Sequence, residues 1–297
     1  MIVIEGPAST QLARDVAERL QCELCAIDKV VFSNGETKLT FKSNVKDKSC
    51  IVVQSCYPRD IDQHLIQLFF LIAKCQEMQA KEIVVVIPYF GYQRQDKEFL
   101  KGEVVSAKVI VQIIEALGAD KVILVNIHSD KILDFFTIPA YDILPFELMG
   151  AYFAENFDLM NPIALAPDKK AFSFAQEFAK GIKGKAMYIN KSRDHVTQKV
   201  TFEFPEKTDF SGSDVFVVDD VVGSGSTTPP IVKFAKDNGA NRVFVAVTAG
   251  EFYGDSLERT KAAGAEEIIT TNAVNNSNIK TLTLAPLIAE KIKDIIV

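Results

Sequence analysis

The sequence has no apolar run long enough to span a membrane. The longest such stretch, residues 65–73, is interrupted by Gln67 and falls far short of the roughly 20 residues that a transmembrane helix needs. The amino terminus, MIVIEG, also lacks the basic segment of a signal peptide. Together these absences predict a cytoplasmic protein without a membrane partner.

A basic patch is missing too. The formal net charge is −6, and Lys and Arg are interspersed with Asp and Glu along the chain. Proteins that bind nucleic acid normally carry a basic face or stripe, so we expect no nucleic-acid partner. A small anionic ligand stays compatible with this composition, because its pocket needs only a few placed cations.

Cysteine is scarce and odd in number, which argues against a disulfide framework. The five cysteines are Cys22, Cys25, Cys50, Cys56 and Cys75. The first two form a CxxC, but no second such pair is present to complete a zinc site. Because this pair follows a predicted helix and enters a strand, we interpret it as two small buried apolar residues and not as a redox motif.

The sequence does have an alternation of short Val/Ile-rich runs and amphipathic stretches. Its 297 residues exceed one average domain, and the 48 % of apolar residues allow a core in each half. Continuous apolar strands separated by helices predict parallel sheets covered on both faces. The predicted strands are 2–5, 51–54, 83–87, 121–126, 163–166, 186–189, 215–218, 243–248 and 267–271. The predicted helices are 9–20, 61–79, 104–118, 144–157, 169–182, 228–239, 255–263 and 285–296.

The two halves have the same outline. A strand and a loop are predicted at IVVQSCYPRD in the first half and at VFVVDDVVGSGSTT in the second, and a helix and a further strand follow each. We therefore predict an α/β protein with two tandem related domains, 1–143 and 144–284, each a mainly parallel sheet flanked by helices. The last helix, 285–297, is a candidate to pack back on the first domain. Residues 27–43 break the alternation, because Asn34-Gly35 lies between two alternating segments and predicts a β-hairpin.

The strongest signal for a ligand is VVDDVVGSGSTT, residues 217–228. An apolar strand ends in two acids, Asp219 and Asp220, and a loop of small residues then opens a helix. Backbone N–H groups at a helix start suit a phosphate, and carboxylates suit sugar hydroxyls. The loop has neither the GKS of a nucleotide P-loop nor the spacing of a dinucleotide fingerprint. The alternative is an ordinary turn before a capped helix.

This segment resembles the phosphoribosyl-diphosphate loop of the type I phosphoribosyltransferase fold. The loop alone does not separate the transferases that consume this compound from the synthetases that make it. Further segments, in order and over nearly the whole chain, resemble the motifs of ribose-phosphate pyrophosphokinases: VFSNGETKL, IPYFGYQRQDKE, SAKVIVQIIEALGADKVILVNIHSD, LAPDKKA and INKSRD. The resemblance implies two phosphoribosyltransferase-like domains, an ATP-side domain first and a ribose-5-phosphate-binding domain second.

The resemblance also implies which residues bind each substrate. On the hairpin the aromatic side chain would stack on adenine, and because this element crosses to a neighbouring subunit in the family, we expect a homo-oligomer, at least a dimer, with a shared ATP site. The implied ATP-binding residues are Phe32, Asn34, Gly35, Glu36, Arg94 and Gln95. The implied ribose-5-phosphate-binding residues are Asp219, Asp220, Gly223, Ser224, Gly225, Ser226 and Thr227.

A magnesium site and two catalytic cations are implied in the same way. A lone histidine is more often a packed residue than a ligand, but the match of NIHSD makes His128 a Mg²⁺ candidate, with Asp168 of LAPDKK as the second. Two positions suffice, since Mg²⁺ usually keeps waters and substrate phosphates as its other ligands. Lys191 and Arg193 lie in a polar segment that we interpret as a mobile loop. Its alternative is a solvated charge cluster, whereas the resemblance makes it the catalytic loop that closes over the triphosphate.

The implied reaction transfers the β,γ-diphosphoryl group of Mg-ATP to the C1 hydroxyl of ribose 5-phosphate. The phosphate loop departs from the family pattern at Gly223, where many members carry an acid, and at Ser226. Its N–H groups are retained, so we expect altered affinity and not lost activity. Two alternatives stay open: a non-catalytic homologue that binds partner synthetases, and a phosphoribosyltransferase acting on a base. Formation of AMP from ATP and ribose 5-phosphate separates all three.

Overall fold

The chain forms two compact units. The computed structural model describes residues 1–193, 200–203 and 208–296, and for 190–193 and 200–203 it describes the backbone alone. The division falls between 143 and 144, and 272–275 and 283–284 belong to the first unit. The first unit is Met1–Ile143, Asn272–Asn275 and Thr283–Val297, and the second is Leu144–Thr271 and Asn276–Leu282.

Strands and helices alternate along the described chain, as the apolar pattern predicts. The strands are β1 Ile2–Glu5, β2 Glu23–Cys25, β3 Ile27–Val31, β4 Thr37–Phe41, β5 Ser49–Val53, β6 Glu82–Ile87, β7 Lys121–Val125, β8 Ala140–Ile143, β9 Ile163–Ala166, β10 Lys185–Tyr188, β11 Asn190–Arg193, β12 Val200–Glu203, β13 Asp214–Val222, β14 Arg242–Gly250, β15 Ala265–Thr271 and β16 Lys280–Leu282. The helices are α1 Thr10–Leu20, α2 Ile61–Glu77, α3 Ser106–Ala116, α4 Phe146–Asn156, α5 Phe172–Ile182, α6 Thr228–Asp237, α7 Ser256–Ala262 and α8 Ala285–Ile295, with a 3₁₀ helix at Asp130–Phe135. None of the described helices has the length and apolar character needed to cross a bilayer.

The two units have the same sheet topology. Within the described residues the first sheet has six strands in the order β2-β1-β5-β6-β7-β8, and the second has six in the order β10-β9-β13-β14-β15-β16. All pairings in both sheets are parallel. A two-stranded antiparallel ribbon is inserted after the second strand in each unit, β3–β4 in the first and β11–β12 in the second. This confirms the prediction of two related α/β domains with a hairpin in the first, and adds a ribbon in the second.

The cores explain why these strands were recognisable in sequence. The central strands β5, β6 and β7 are buried nearly throughout because helices cover both faces of a parallel sheet. The core of the second unit is rich in phenylalanine. Phe216 and Phe244 stack with ring centroids 4.9 Å apart, and Phe153 lies against both at 5.0 and 5.1 Å. Such aromatic pairs add to the free energy gained from their burial.

The last helix packs in the first unit. The Thr283 hydroxyl donates to Asp15 Oδ2 of α1 at 3.1 Å, and Lys121 Nζ donates to the Ile295 carbonyl at 2.7 Å. The buried face of α8 includes Ile288 and Ile292. The structure groups this helix with the first unit.

Several elements differ from the predictions. The strands β2, β8 and β16 are only three or four residues long, too short to show a periodic signal. The strand β13 continues beyond Val218 to Val222, because its pairing with β14 extends as far as Gly250. Lys191 and Arg193, which were expected in a loop, lie on β11 and pair with β12.

The prediction that both CxxC residues are buried is confirmed for one of the two. Cys25 is buried, whereas Cys22 is partly exposed, and all five cysteines are free thiols. Burial is the main cause of the raised pKa of each thiol in the pair. A raised pKa suppresses the thiolate, so these residues lack the character of a reactive redox pair.

Replacing Gln67 by leucine is expected to raise the free energy of unfolding by about 1–3 kcal/mol. Gln67 lies on α2 with 0 % exposure, and neither atom of its amide has a hydrogen-bond partner among the described residues. Its leucine variant removes two buried polar groups at little change in volume. Urea unfolding monitored by circular dichroism measures the effect.

Gln54→Leu is the matched control. This glutamine is also fully buried, but its Oε1 accepts from the Ala8 N–H at 3.0 Å and its Nε2 donates to the His64 carbonyl at 3.2 Å. Its replacement leaves two backbone groups unpaired and is expected to destabilise the protein. Destabilisation by both substitutions alike would contradict the account of Gln67.

Candidate functional site

The predicted phosphate loop connects β13 to α6 in the second unit. Two side chains of α7 donate hydrogen bonds to the carbonyl groups of this loop. Ser256 Oγ donates to the Gly223 carbonyl at 3.0 Å, while Arg259 donates to the Ser224 carbonyl at 2.5 Å and to the Gly225 carbonyl at 3.2 Å. Arg259 Nε also donates to Asp255 Oδ1 at 2.9 Å, and this bond orients the guanidinium.

The direction of these carbonyls fixes the direction of the loop N–H groups. In a trans peptide the C=O and the following N–H point to opposite sides, and the structure has no cis peptide among its described residues. The N–H groups of Ser224, Gly225 and Ser226 therefore point away from Arg259 and Ser256. Three successive N–H groups on one side of a loop form a cradle for an anion.

The loop and not the helix supplies most of these donors. Pro229 and Pro230 follow Thr228 in the first turn of α6. Proline has no N–H group, so two of the donors that a helix start normally offers are missing. The start of α6 therefore offers few N–H groups, and the better donors are the peptide groups of residues 224–226.

Gly225 is required by its surroundings as well as by its backbone. Its φ of +68° lies in the left-handed region, and a Cβ there would come within 2.6 Å of the Ser256 Cβ. No side chain fits this position without moving the loop off its carbonyl contacts. Ser224 and Ser226 are exposed, and Thr227 is partly exposed at the N-cap of α6.

The two predicted acids lie on β13, one step before the loop. The Asp219 carboxylate accepts from the Asp220 N–H at 2.9 Å, and the Asp220 carboxylate accepts from the Val221 N–H at 2.7 Å. Both side chains are partly exposed. They lie at the carboxyl end of a parallel strand, the edge at which α/β proteins bind their ligands.

Asp168 lies at this same edge of the second sheet. It follows β9, which pairs with β13 through Leu165 and Val217, so both acid-bearing segments leave the sheet side by side. Asp168 Oδ1 accepts from the Ala171 N–H at 2.9 Å, which fixes the turn before α5. Its predicted companion His128 belongs to the first unit.

His128 follows β7, at the carboxyl edge of the first sheet. The backbone N–H of His128 donates to Gln93 Oε1 at 2.9 Å, and the backbone N–H of the preceding Ile127 donates to Asp142 Oδ1 at 3.2 Å. Gln93 is buried, with 4 % exposure. These two contacts hold the turn that presents the histidine.

Asp142 is an unusual carboxyl group. Burial raises its pKa to about 7, against the opposing effect of the Ile127 hydrogen bond and with a further rise from the charge of Asp130. A carboxyl group with such a pKa lies next to a candidate binding residue, which is common at functional sites.

Arg94 and Gln95 are both exposed, beyond the end of β6. Gln95 Oε1 accepts from the Ser106 hydroxyl at 2.6 Å, at the start of α3. Arg94 is an exposed cation beyond the carboxyl end of β6.

The hairpin tip is exposed at the predicted adenine-contacting residues. Phe32 is 46 % exposed, and Asn34, Gly35 and Glu36 are exposed as well. The tip is a five-residue loop from Phe32 to Glu36, closed by a bond from the Phe32 N–H to the Glu36 carbonyl at 2.9 Å. Asn34 Oδ1 accepts from the Glu36 N–H, and Gly35 adopts a φ of +89°.

For Lys191 and Arg193, the two predicted catalytic cations, the structure describes only the backbone. Lys191 pairs with Phe202 and Arg193 with Val200 in the β11–β12 ribbon, whereas their side chains lie outside the described residues. The sequence missed the residues that position the others: Ser256, Arg259, Gln93 and Asp142. No local pattern marks them, although Gln93 lies inside the recognised FGYQRQD segment.

No group of three or more His, Cys, Asp or Glu side chains suited to a metal occurs in the described part of the chain. Mg²⁺ does not require such a group, because it takes one or two protein ligands together with waters and phosphates. The partly exposed oxygen ligand of Asp168 is of the kind that Mg²⁺ prefers.

A strand order repeated in both units, with an anion cradle after a pair of acids in the second, is the architecture of a tandem phosphoribosyltransferase-type protein. Two family models agree with it: the N-terminal domain of ribose phosphate pyrophosphokinase matches residues 1–118, and the phosphoribosyl transferase domain matches residues 147–281. The chain belongs to the ribose-phosphate pyrophosphokinase family and is an enzyme of that family.

Full-length relatives support this assignment. The ribose-phosphate pyrophosphokinase of Methanobrevibacter smithii is 34 % identical over 302 residues, covering 99 % of this chain and 100 % of its own. That of Methanothermobacter thermautotrophicus is 31 % identical, with 99 % and 100 % covered. The crystal structure of phosphoribosylpyrophosphate synthetase from Mycobacterium smegmatis matches with a TM-score of 0.83 at 26 % identity, covering 99 % of this chain and 98 % of that one.

Proposed function

We propose that this enzyme binds ribose 5-phosphate in its second unit and ATP in its first, and makes 5-phosphoribosyl 1-diphosphate and AMP. The observation that carries the proposal is the loop 223–227. Its carbonyls are bound by Ser256 and Arg259, so that successive N–H groups face the other way. This cradle takes the 5-phosphate, and the adjacent Asp219 and Asp220 accept hydrogen bonds from ribose hydroxyls.

The reaction is an in-line attack of the C1 hydroxyl on the β-phosphorus of ATP. A bond forms between O1 and the β-phosphorus, the bond from this phosphorus to the α,β-bridging oxygen breaks, AMP leaves, and the hydroxyl proton is released to solvent. Such a transfer depends mainly on positioning and on neutralising charge. Lys191 and Arg193 contribute positive charge near the reacting phosphorus. His128 and Asp168 would hold Mg²⁺, which neutralises phosphate charge when bound.

The ATP side of the proposal uses exposed groups of the first unit. Phe32 stacks on the adenine, and the polar tip residues Asn34, Gly35 and Glu36 hold its edge, while Arg94 and Gln95 contact the nucleotide. The half-exposed run Val30, Val31 and Phe32 supports a hairpin that is covered in a homo-oligomer, at least a dimer with a shared ATP site. Activity per mole that falls on dilution, in parallel with dissociation measured by light scattering, tests this arrangement.

Replacing Asp219 and Asp220 together by asparagine is expected to raise the KM for ribose 5-phosphate by about tenfold to a hundredfold. Each hydrogen bond to a charged group contributes roughly 1.5–3 kcal/mol, and asparagine keeps the shape while losing the charge. AMP formation from ATP, ribose 5-phosphate and Mg²⁺ is the measurement.

Asp237→Asn is the control, since this exposed acid lies at the other end of α6 and its replacement leaves the KM unchanged. A wild-type enzyme that forms no AMP at any magnesium concentration would rule out the proposed reaction. An unchanged KM in the double variant would rule out the role of the two acids.

A further inference from the structure

Glu251 lies beside the first residue of the phosphate loop. It follows β14, whose pairing with β13 reaches Gly250 and Val222. Beyond that pair the Glu251 N–H donates to the Val222 carbonyl at 3.0 Å, and the Tyr253 N–H donates to the Gly223 carbonyl at 2.9 Å. The backbone of 251–253 is therefore fixed along the start of the loop.

The Glu251 carboxylate occupies the space that a side chain on Gly223 would enter. A Cβ built on Gly223 would lie 3.3 Å from Glu251 Oε2 and 3.3 Å from the ring of Tyr253. Glu251 is partly exposed and lies directly beyond the end of β14, at the same edge of the sheet as Asp219 and Asp220. A third acid is therefore near the start of the loop.

The chemistry of a carboxylate limits what it can meet there. An ionised carboxylate only accepts hydrogen bonds, and it repels a phosphate of the same sign. The donors that ribose 5-phosphate offers are its hydroxyl groups. Along the sequence, Gly223 is the residue of the loop farthest from α6 and nearest to Asp220, so the proposed site has the sugar, and not the phosphate, at this end.

We propose that Glu251 binds a ribose hydroxyl of the sugar phosphate, alongside Asp219 and Asp220, and is a substrate-binding residue of this site. This inference rests on the proposed function of the second unit. It also explains how a loop that begins with a glycine can offer a carboxylate at its sugar end: the charge is delivered across the sheet from the end of β14.

Glu251→Ala and Glu251→Gln are expected to raise the dissociation constant of ribose 5-phosphate by about tenfold or more, the loss of one charged hydrogen bond. Isothermal titration calorimetry measures this without turnover. The KM for ATP is expected to stay unchanged. Glu258→Gln is the matched control, because this acid is exposed on α7 and its replacement leaves ribose 5-phosphate affinity unchanged.

A second substitution separates a binding role from a structural one. Gly223 is not in the left-handed region, so its backbone accepts an aspartate. In the native background Gly223→Asp brings two carboxylates together and is expected to weaken ribose 5-phosphate binding. In the Glu251→Ala background the same substitution returns a carboxylate to the vacated space and is expected to restore binding. Gly223→Asp would thus lower the affinity for ribose 5-phosphate in one background and raise it in the other. A general loss of stability does not produce such opposite effects.

The failures are distinguishable. Unchanged ribose 5-phosphate affinity in both Glu251 variants, or the same effect of Gly223→Asp in both backgrounds, overturns the role of Glu251. Wild-type protein that binds ribose 5-phosphate but forms no AMP contradicts the proposed reaction and leaves the calorimetric comparison decisive for Glu251. Wild-type protein that binds no ribose 5-phosphate overturns both.

Discussion

Gly225→Ala is expected to raise the KM for ribose 5-phosphate by about a hundredfold or more, the scale of loss that follows a shift of about 1 Å in a binding group. The added methyl group would meet the Ser256 Cβ at 2.6 Å and Arg259 Nη2 at 3.2 Å. Both are side chains that bind the carbonyls of the loop. Relief of the clash therefore turns the cradle N–H groups away from the phosphate.

Gly212→Ala provides the matched control. Gly212 also has a φ of +68°, but a Cβ there meets nothing within 4 Å. Its alanine variant experiences the left-handed backbone strain alone, about 1–2 kcal/mol of stability, and the KM for ribose 5-phosphate is expected to be unchanged. Equal kinetic effects of the two substitutions would show that backbone strain, and not the contact with Ser256, decides the outcome.

Asp214→Ala is expected to lower the free energy of unfolding by about 3–5 kcal/mol, the usual result of removing one partner of a buried ion pair. The Asp214 side chain is 0 % exposed and accepts from Arg242 at 3.0 and 2.6 Å. It also accepts from the Met160 N–H at 2.8 Å and from Asn241 at 3.2 Å. Urea unfolding measures the change, and the exposed pair of Lys233 and Asp237 gives a control: Asp237→Asn should change stability little.

The same carboxylate predicts the pH dependence of stability. Burial alone would raise the pKa of Asp214, but the hydrogen bonds from Arg242 and Met160 and the charge of Arg242 outweigh burial and hold the pKa below its usual range. A lowered pKa means that the stabilisation is present above the unfolded-state value near 4 and is lost as the pH falls through the folded-state value. Asp214→Asn should therefore flatten the acid limb of the stability profile. A limb as steep as that of the native protein would contradict this assignment.

The parts of the fold that sequence predicted are those with dense local signals. The bounds of β1 and β9 are as predicted, because each is a short apolar run between clear breakers. The amphipathic α6 was also placed within two residues. The acids and the loop at 219–227 were recognisable because strand, loop and helix follow each other without interruption.

Other features depend on partners far away in sequence. Arg259 lies 34 residues beyond Gly225, and nothing around it marks it as a group that binds the loop. The same holds for Glu251, whose relation to Gly223 exists only because β14 lies beside β13. The edge strand β16 is largely exposed, so it has no alternation that sequence analysis could detect.

The ribbons β3–β4 and β11–β12 leave their sheets at the same step of the repeated topology. Duplication of an ancestral domain that already carried a ribbon would produce this repeat. The two ribbons differ in chemistry: β3–β4 carries an exposed aromatic residue suited to a nucleobase, and β11–β12 carries Lys191 and Arg193, whose charges suit a polyphosphate. Two copies of one ribbon would in this way serve two different substrates.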